Sequence, residues 1–198
     1  MGSSWLGLVL ALAAAGHPQS HSSSRVVVEG RALRLELRCQ AAALIEAVGH
    51  DVDGDGTLAP IELAAARTDV ERYIARSYRL LAVDQAGDAR SVELELVALS
   101  QAALSEVSSE EPWVDVVLRG EAGNAPVALR AELSLFRERN PLHRDVATVE
   151  WAGEAPRVFV TGPDVAAWTF EPASRRRPGV LTGFARLGWE HILSLIHI

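Results

Sequence analysis

The sequence predicts an α+β fold, mostly β: an antiparallel β-sandwich-like domain with a helix-loop-helix inserted after its first hairpin. Three observations carry this reading. Period-two alternation of apolar and polar residues recurs from Arg25 nearly to Gly162, in short runs split by turn residues. The run "HDVDGDGTLAPIEL", His50 to Leu63, interrupts that pattern with an acidic, glycine-rich loop that has helical spacing on both sides. The chain has 198 residues, 48% of them hydrophobic, which is enough for one well-buried domain with a targeting segment and an anchor beside it.

Taken in order, "MGSSWLGLVLALAAAGHPQS" has an apolar core from Trp5 to Ala15 followed by small residues, the arrangement of a secretory signal over 1–16. The core is too short to span a bilayer, which takes about 20 apolar residues in a helix, and no Lys or Arg precedes it. Export is the expectation, with a domain over 17–173 outside the cytoplasm. "SSSRVVVEGRALRLELRC" reads as a hairpin: Val26 and Val28, a turn at Glu29-Gly30, then Leu33, Leu35 and Leu37 against Arg34, Glu36 and Arg38. "QAAALIEAVGH" reads as a short helix carrying Leu44, Ile45 and Val48 and closed by Gly49. Pro60 suits a helix start, and Val70, Tyr73 and Ile74 share one face of a helix to about Ser77, so the insert covers 39–77. Strand patterns return in "YRLLAVD", "SVELELVALS", "WVDVVLRG", "PVALRAELSLF", "DVATVEWAG" and "PRVFVTG". A polar linker over 174–179 leads to an apolar-aromatic piece, 180–198, read as the start of a membrane region.

Charge and cysteine content narrow the function. A net charge of -7 argues against nucleic-acid binding, which needs a basic face to meet phosphates; the one dense basic run is Arg175 to Arg177. Cys39 is the single cysteine, so no internal disulfide forms, and it reads as a small buried apolar residue. The chain has no nucleophile elbow, Walker loop, HExxH or CxxC, and the expectation is a protein that is not an enzyme.

The acidic loop carries the chemistry. On a twelve-residue frame Asp51, Asp53 and Asp55 occupy positions 1, 3 and 5, Gly56 position 6, Thr57 position 7, Leu58 position 8 and Glu62 position 12, the EF-hand calcium pattern. Three short carboxylates, the backbone carbonyl of Thr57 and a bidentate Glu62 from the next helix suit a hard cation that prefers oxygen, with a water completing seven ligands. Gly56 supplies the left-handed turn and Leu58 packs inward. The alternative is an acidic loop of Asx turns without metal. Regulatory EF-hands pair through position 8, and no second loop is found, so calcium here is expected to be a strut rather than a switch. His17 and His21 would stand near the mature amino terminus and offer imidazole to nickel or copper, or form a polar leader. His143, where a loop enters a strand, reads as a hydrogen-bonded structural histidine.

Together, "AAAGHPQSHS", the hairpin, "DVDGDGTLAPIEL", "NPLHRDVATVEW" and "FARLGWEHIL" resemble the HupE/UreJ-like family of bacterial membrane proteins, in which an exported domain precedes a polytopic membrane region. Phe184, Gly188 and His191 match the opening of that region. The resemblance implies an inner-membrane anchor, a periplasmic location for the domain and a link to nickel or cobalt uptake, and it leaves the identity of any protein partner open. The chain departs from the family after Leu193, reading "SLIHI" where a glycine, an aspartate-histidine pair and a long apolar span are expected, and "LSLIHI" is also encoded by one frame of a transposon-derived sequencing adapter. The expectation is a chain cut at its first membrane segment. Two rival readings stand beside it: a secreted calcium-dependent binding module, similar in its loop to dockerins, which carry the loop twice, and an exported metallochaperone for nickel or copper using His17, His21 and His143.

Overall fold

The computed structural model describes residues 20–102 and 112–173. The leader, His17, the linker with Arg175 to Arg177 and the segment 180–198 lie outside the described residues.

Strands β1 (His21–Glu29) and β2 (Ala32–Gln40) make the expected hairpin, in antiparallel register from Ser22 opposite Cys39 to Glu29 opposite Ala32. Gly30 turns it with φ 62°, a value that costs a glycine little because it has no Cβ. Val26, Val28, Leu33, Leu35, Leu37 and Cys39 are buried on one face. On the other face Arg25 is paired with Glu36 and Glu150, and Arg38 with Asp115. Helix α1 (Ala41–Val48) follows with no intervening loop and ends where the Gly49 N–H reaches the Ile45 carbonyl at 2.7 Å. Helix α2 (Pro60–Ser77) opens on Pro60, whose missing N–H would have had no helical partner. It buries Leu63, Ala66, Val70, Tyr73 and Ile74, the stripe that the periodicity required.

The remaining strands are β3 (Tyr78–Val83), β4 (Ala89–Ser91), β5 (Leu94–Gln101), β6 (Trp113–Glu121), β7 (Ala128–Leu133), β8 (Arg144–Trp151), β9 (Arg157–Thr161) and β10 (Ala167–Phe170). They build a six-stranded sheet in the order β5-β6-β2-β1-β8-β9 and a four-stranded sheet in the order β10-β7-β3-β4. The α+β, mostly β sandwich is therefore what the chain forms. Aromatic pairs join the sheets: Trp151 stacks on Phe170 with ring centroids 5.4 Å apart, and Phe159 on Trp168 at 5.0 Å. Each such pair adds about 0.5–1.5 kcal/mol beyond the area it buries.

Four details differ from the sequence reading. The six-stranded sheet is mixed, because β1 and β8 run parallel from His21 opposite Arg144 to Val28 opposite Trp151. Alternation reveals which face a residue takes but neither the neighbour nor its direction. The run "SVELELVALS" divides between the sheets, Ser91 ending β4 and Leu94 opening β5; Gly120 allows the crossing, since a Cβ there would collide with the Glu93 carbonyl. The run ending in Phe136 leaves its sheet at Leu133 and coils through Ser134 to Asn140, with Asn140 N–H on the Phe136 carbonyl at 2.8 Å. Strand β10, too short to show a period, was not anticipated.

Candidate metal centre

The loop between the helices leaves α1 through two residues with positive φ, Gly49 at 80° and His50 at 76°. His50 is held there from α2: its Nε2 lies 3.0 Å from Asp69 Oδ2, and Arg72 donates to the other oxygen at 2.6 Å. These two bonds, the His50 one foremost, keep the Asp69 carboxyl below the usual carboxylate range.

Beyond His50 the backbone folds around its own carboxylates. Asp51 accepts N–H bonds from Gly54 at 2.8 Å and from Gly56 at 3.1 Å, one on each oxygen. Asp53 accepts from Asp55 N–H at 3.2 Å, and Asp55 accepts both the hydroxyl and the N–H of Thr57 at 2.7 Å. The Thr57 hydroxyl and then its N–H lower the Asp55 carboxyl, keeping it a carboxylate. Gly54 and Gly56, with φ of 73° and 78°, make the reversals. One oxygen each from Asp51, Asp53 and Asp55 lies within 4.8 Å of the others. Leu58 leaves the loop inward and is fully buried.

Thr57 and Glu62 complete the set expected from the sequence, and the structure gives them different surroundings. Thr57 sits in the loop beside Asp55, its carbonyl being the atom of interest. Glu62 stands in the first turn of α2, 6% exposed, outside the aspartate cluster. Its Oε1 accepts the Val52 N–H at 2.7 Å and its Oε2 the Ala59 N–H at 2.8 Å. The second bond caps an N–H at the helix start that has no helical partner. A carboxylate has about four lone-pair sites, so two remain for a cation after both N–H bonds are made. All of these donors are oxygens, three on short carboxylates, which matches a hard divalent ion of the calcium type.

A second polar assembly, missed by sequence reasoning, lies between the sheets. His143 and Asp145, 2% and 1% exposed, face Ser20, Ser22 and Ser24, which are 8%, 1% and 4% exposed. Ser20 Oγ is 2.7 Å from His143 Nδ1, and Ser22 Oγ is 3.0 Å from His143 Nε2. Ser22 and Ser24 donate to the two oxygens of Asp145 at 2.6 Å each, and Ser24 Oγ is 2.9 Å from the Tyr78 hydroxyl. His143 is the structural histidine that was expected, with both ring nitrogens engaged. This is not a hydrolase triad: Asp145 touches serines rather than the imidazole, and every member is buried. Its signal in the sequence was serine at alternate, inward positions of "SHSSSR". His21, the other described histidine considered for nickel or copper, packs in a T shape with Trp113, ring centroids 5.0 Å apart.

No protein-family profile matches the chain, and no curated protein is significantly similar to it.

Proposed function

We propose that this chain is a calcium-binding extracytoplasmic domain of a HupE/UreJ-like membrane protein, with the ion as a strut that ties α1 to α2. The observation that carries the calcium reading is the convergence of Asp51, Asp53 and Asp55 within 4.8 Å in a loop that opens into α2. Asp51, Asp53 and Asp55 would hold the ion, with the Thr57 carbonyl and Glu62. The membrane setting and the link to nickel or cobalt uptake rest on the sequence motifs alone.

The test is a melting curve of residues 17–178 in chelator and in calcium. Extracellular calcium modules have dissociation constants of roughly 10⁻⁴ to 10⁻³ M. At about 1 mM calcium the stabilisation RT ln(1 + [L]/Kd) is then roughly 0.4–1.4 kcal/mol, a rise in melting temperature of roughly 1–6 °C. Asp53→Ala should abolish the rise, since Asp53 supplies a carboxylate and, among the described residues, accepts only the Asp55 N–H bond. Identical wild-type melts in both buffers, at tenfold higher calcium as well, would refute the strut.

A further inference from the structure

The buried serines, His143 and Asp145 form a hydrogen-bond chain whose direction is determined by counting protons. Each serine has one hydroxyl proton. Ser22 and Ser24 donate theirs to Asp145. Ser22 Oγ can then meet His143 Nε2 only as an acceptor, so the imidazole carries its proton on Nε2. Nδ1 is thereby an acceptor, and Ser20 donates to it. By the same count the Tyr78 hydroxyl donates to Ser24 Oγ. Every bond, from Ser20 through His143 and Ser22 and from Tyr78 through Ser24, points toward the Asp145 carboxylate.

A proton on Asp145 breaks this order, because its carboxyl must then donate to one of the two serines. The Tyr78 branch cannot reverse, since among the described residues the acceptor for the Tyr78 proton is Ser24 Oγ. The Ser22 branch can. Ser22 passes its proton to Asp145 and takes the one on His143 Nε2, Nδ1 takes the proton of Ser20, and Ser20, reprotonated from water, now accepts from Nδ1. Ser20 is the most exposed member, so its freed hydroxyl has access to water. One proton is added at Asp145, none is lost, and each heavy atom keeps its partner.

We propose that the Ser20–His143–Ser22–Asp145 chain is a proton-responsive relay between β1 and β8, in which protonation of Asp145 switches His143 from its Nε2–H to its Nδ1–H tautomer. The surroundings suit an uncharged imidazole. The His143 and Phe136 rings pack in a T shape with centroids 5.0 Å apart, and the positive charges of Arg137 and, when protonated, His21 oppose a further one. Asp145 is faced by Ser22 and Ser24 from β1, by Cys39 from β2 and by Tyr78 from β3, with Thr161 opposite it on β9; none of these supplies a positive charge. Burial accordingly pushes the Asp145 carboxyl up to about 6 and the His143 imidazole down to about 4, leaving a range in which both are neutral.

The experiment is long-range proton–nitrogen NMR of the histidine rings in the full chain, from pH 8 to pH 4.5. The proton of His143 should sit on Nε2 at the alkaline end and on Nδ1 below about pH 6. Asp145→Asn, an amide with donor capacity at every pH, should hold the Nδ1–H form throughout. Ser22→Ala, which cuts the link, should remove the pH dependence of the tautomer. The wild-type titration decides even if neither variant folds: an Nε2–H form retained to pH 4.5, or an imidazolium formed without passing through Nδ1–H, overturns the proposal.

Discussion

Glu62 shows how one residue carries two tasks. Its carboxylate was expected as the bidentate ligand at position 12, and the structure shows it closing the loop through Val52 and capping α2 through Ala59. Glu62→Ala should therefore destabilise the chain even in chelator, by about 1–3 kcal/mol, the cost of leaving partly buried N–H groups without partners. Asp53→Ala, on an exposed loop, should stay within about 0.5 kcal/mol in chelator. Urea unfolding of the two variants without calcium separates the roles, and equal losses would contradict the assignment. His143 and Asp145 give a second expectation at this scale. The folded chain takes a proton on Asp145 more readily than the unfolded chain, so the stability from this group is complete below about pH 3.9 and is lost as pH rises through about 6. His143 has the opposite sign: its stability is present above about pH 6.5 and is lost as pH falls through about 4. Each displacement of about two pH units corresponds to roughly 3 kcal/mol, so the two effects nearly cancel between about pH 4 and 6.5. Relative to wild type, Asp145→Asn should lose stability on going from pH 7.5 to 4.5 and His143→Gln should gain it. Parallel profiles for all three proteins would show that neither group titrates as assigned.

Helix α2 links the loop to both sheets. Arg67 donates to the Leu96 carbonyl at 2.5 Å, and one turn later Glu71 accepts the Leu96 N–H at 2.8 Å. Their target is the bulge in β5 where the register against β6 shifts between Leu96 and Ala98. A bulge frees backbone groups from the ladder, and the helix satisfies them. On its next turns, Tyr73 accepts the Phe136 N–H at 2.6 Å and holds Phe136 at φ 57°, with the Phe136 ring against His143. Removing the clamp should loosen the edge strand first. Glu71→Ala is expected to cost about 1–2 kcal/mol and to speed amide exchange at Leu96 well beyond that global loss. Unchanged protection at Leu96 would mean that β5 holds its bulge without the helix.

At the scale of the whole molecule, segments far apart in the chain meet in one sheet: β8 lies parallel beside β1, and Tyr78 of the second sheet rests on Ser24. The segment Ser20–Ser24 thus supplies three hydroxyls to the buried pair as well as ladder bonds. A chain beginning at Arg25 would leave Asp145 and His143 buried without those partners. Such a loss costs about 3–5 kcal/mol, equivalent to a fall in melting temperature of about 6–20 °C for a domain of this size. Calorimetry of the shortened chain checks this, and a fall under about 3 °C would show that the serines are dispensable.

What the sequence determined by itself was local. The hairpin, the two helices with their Gly49 and Pro60 boundaries, the inward leucines and the loop with Asp51, Asp53 and Asp55 follow from periods of 2 and 3.6 and from turn chemistry, which act over a few residues. Calcium as the ion is the chemical reading of that spacing. The tertiary structure decided everything that joins distant residues. The parallel pairing of β1 with β8, the crossing from β4 to β5 beside Gly120, the clamp of Arg67 and Glu71 and the partners of Glu62 all depend on which elements become neighbours. The serines of "SHSSSR" were visible as polar residues on a strand, yet their purpose depended on His143 and Asp145, more than a hundred residues away in the chain. Alternation assigns a residue to a face; only the packed sandwich brings to that face the groups with which a buried hydroxyl can share its proton.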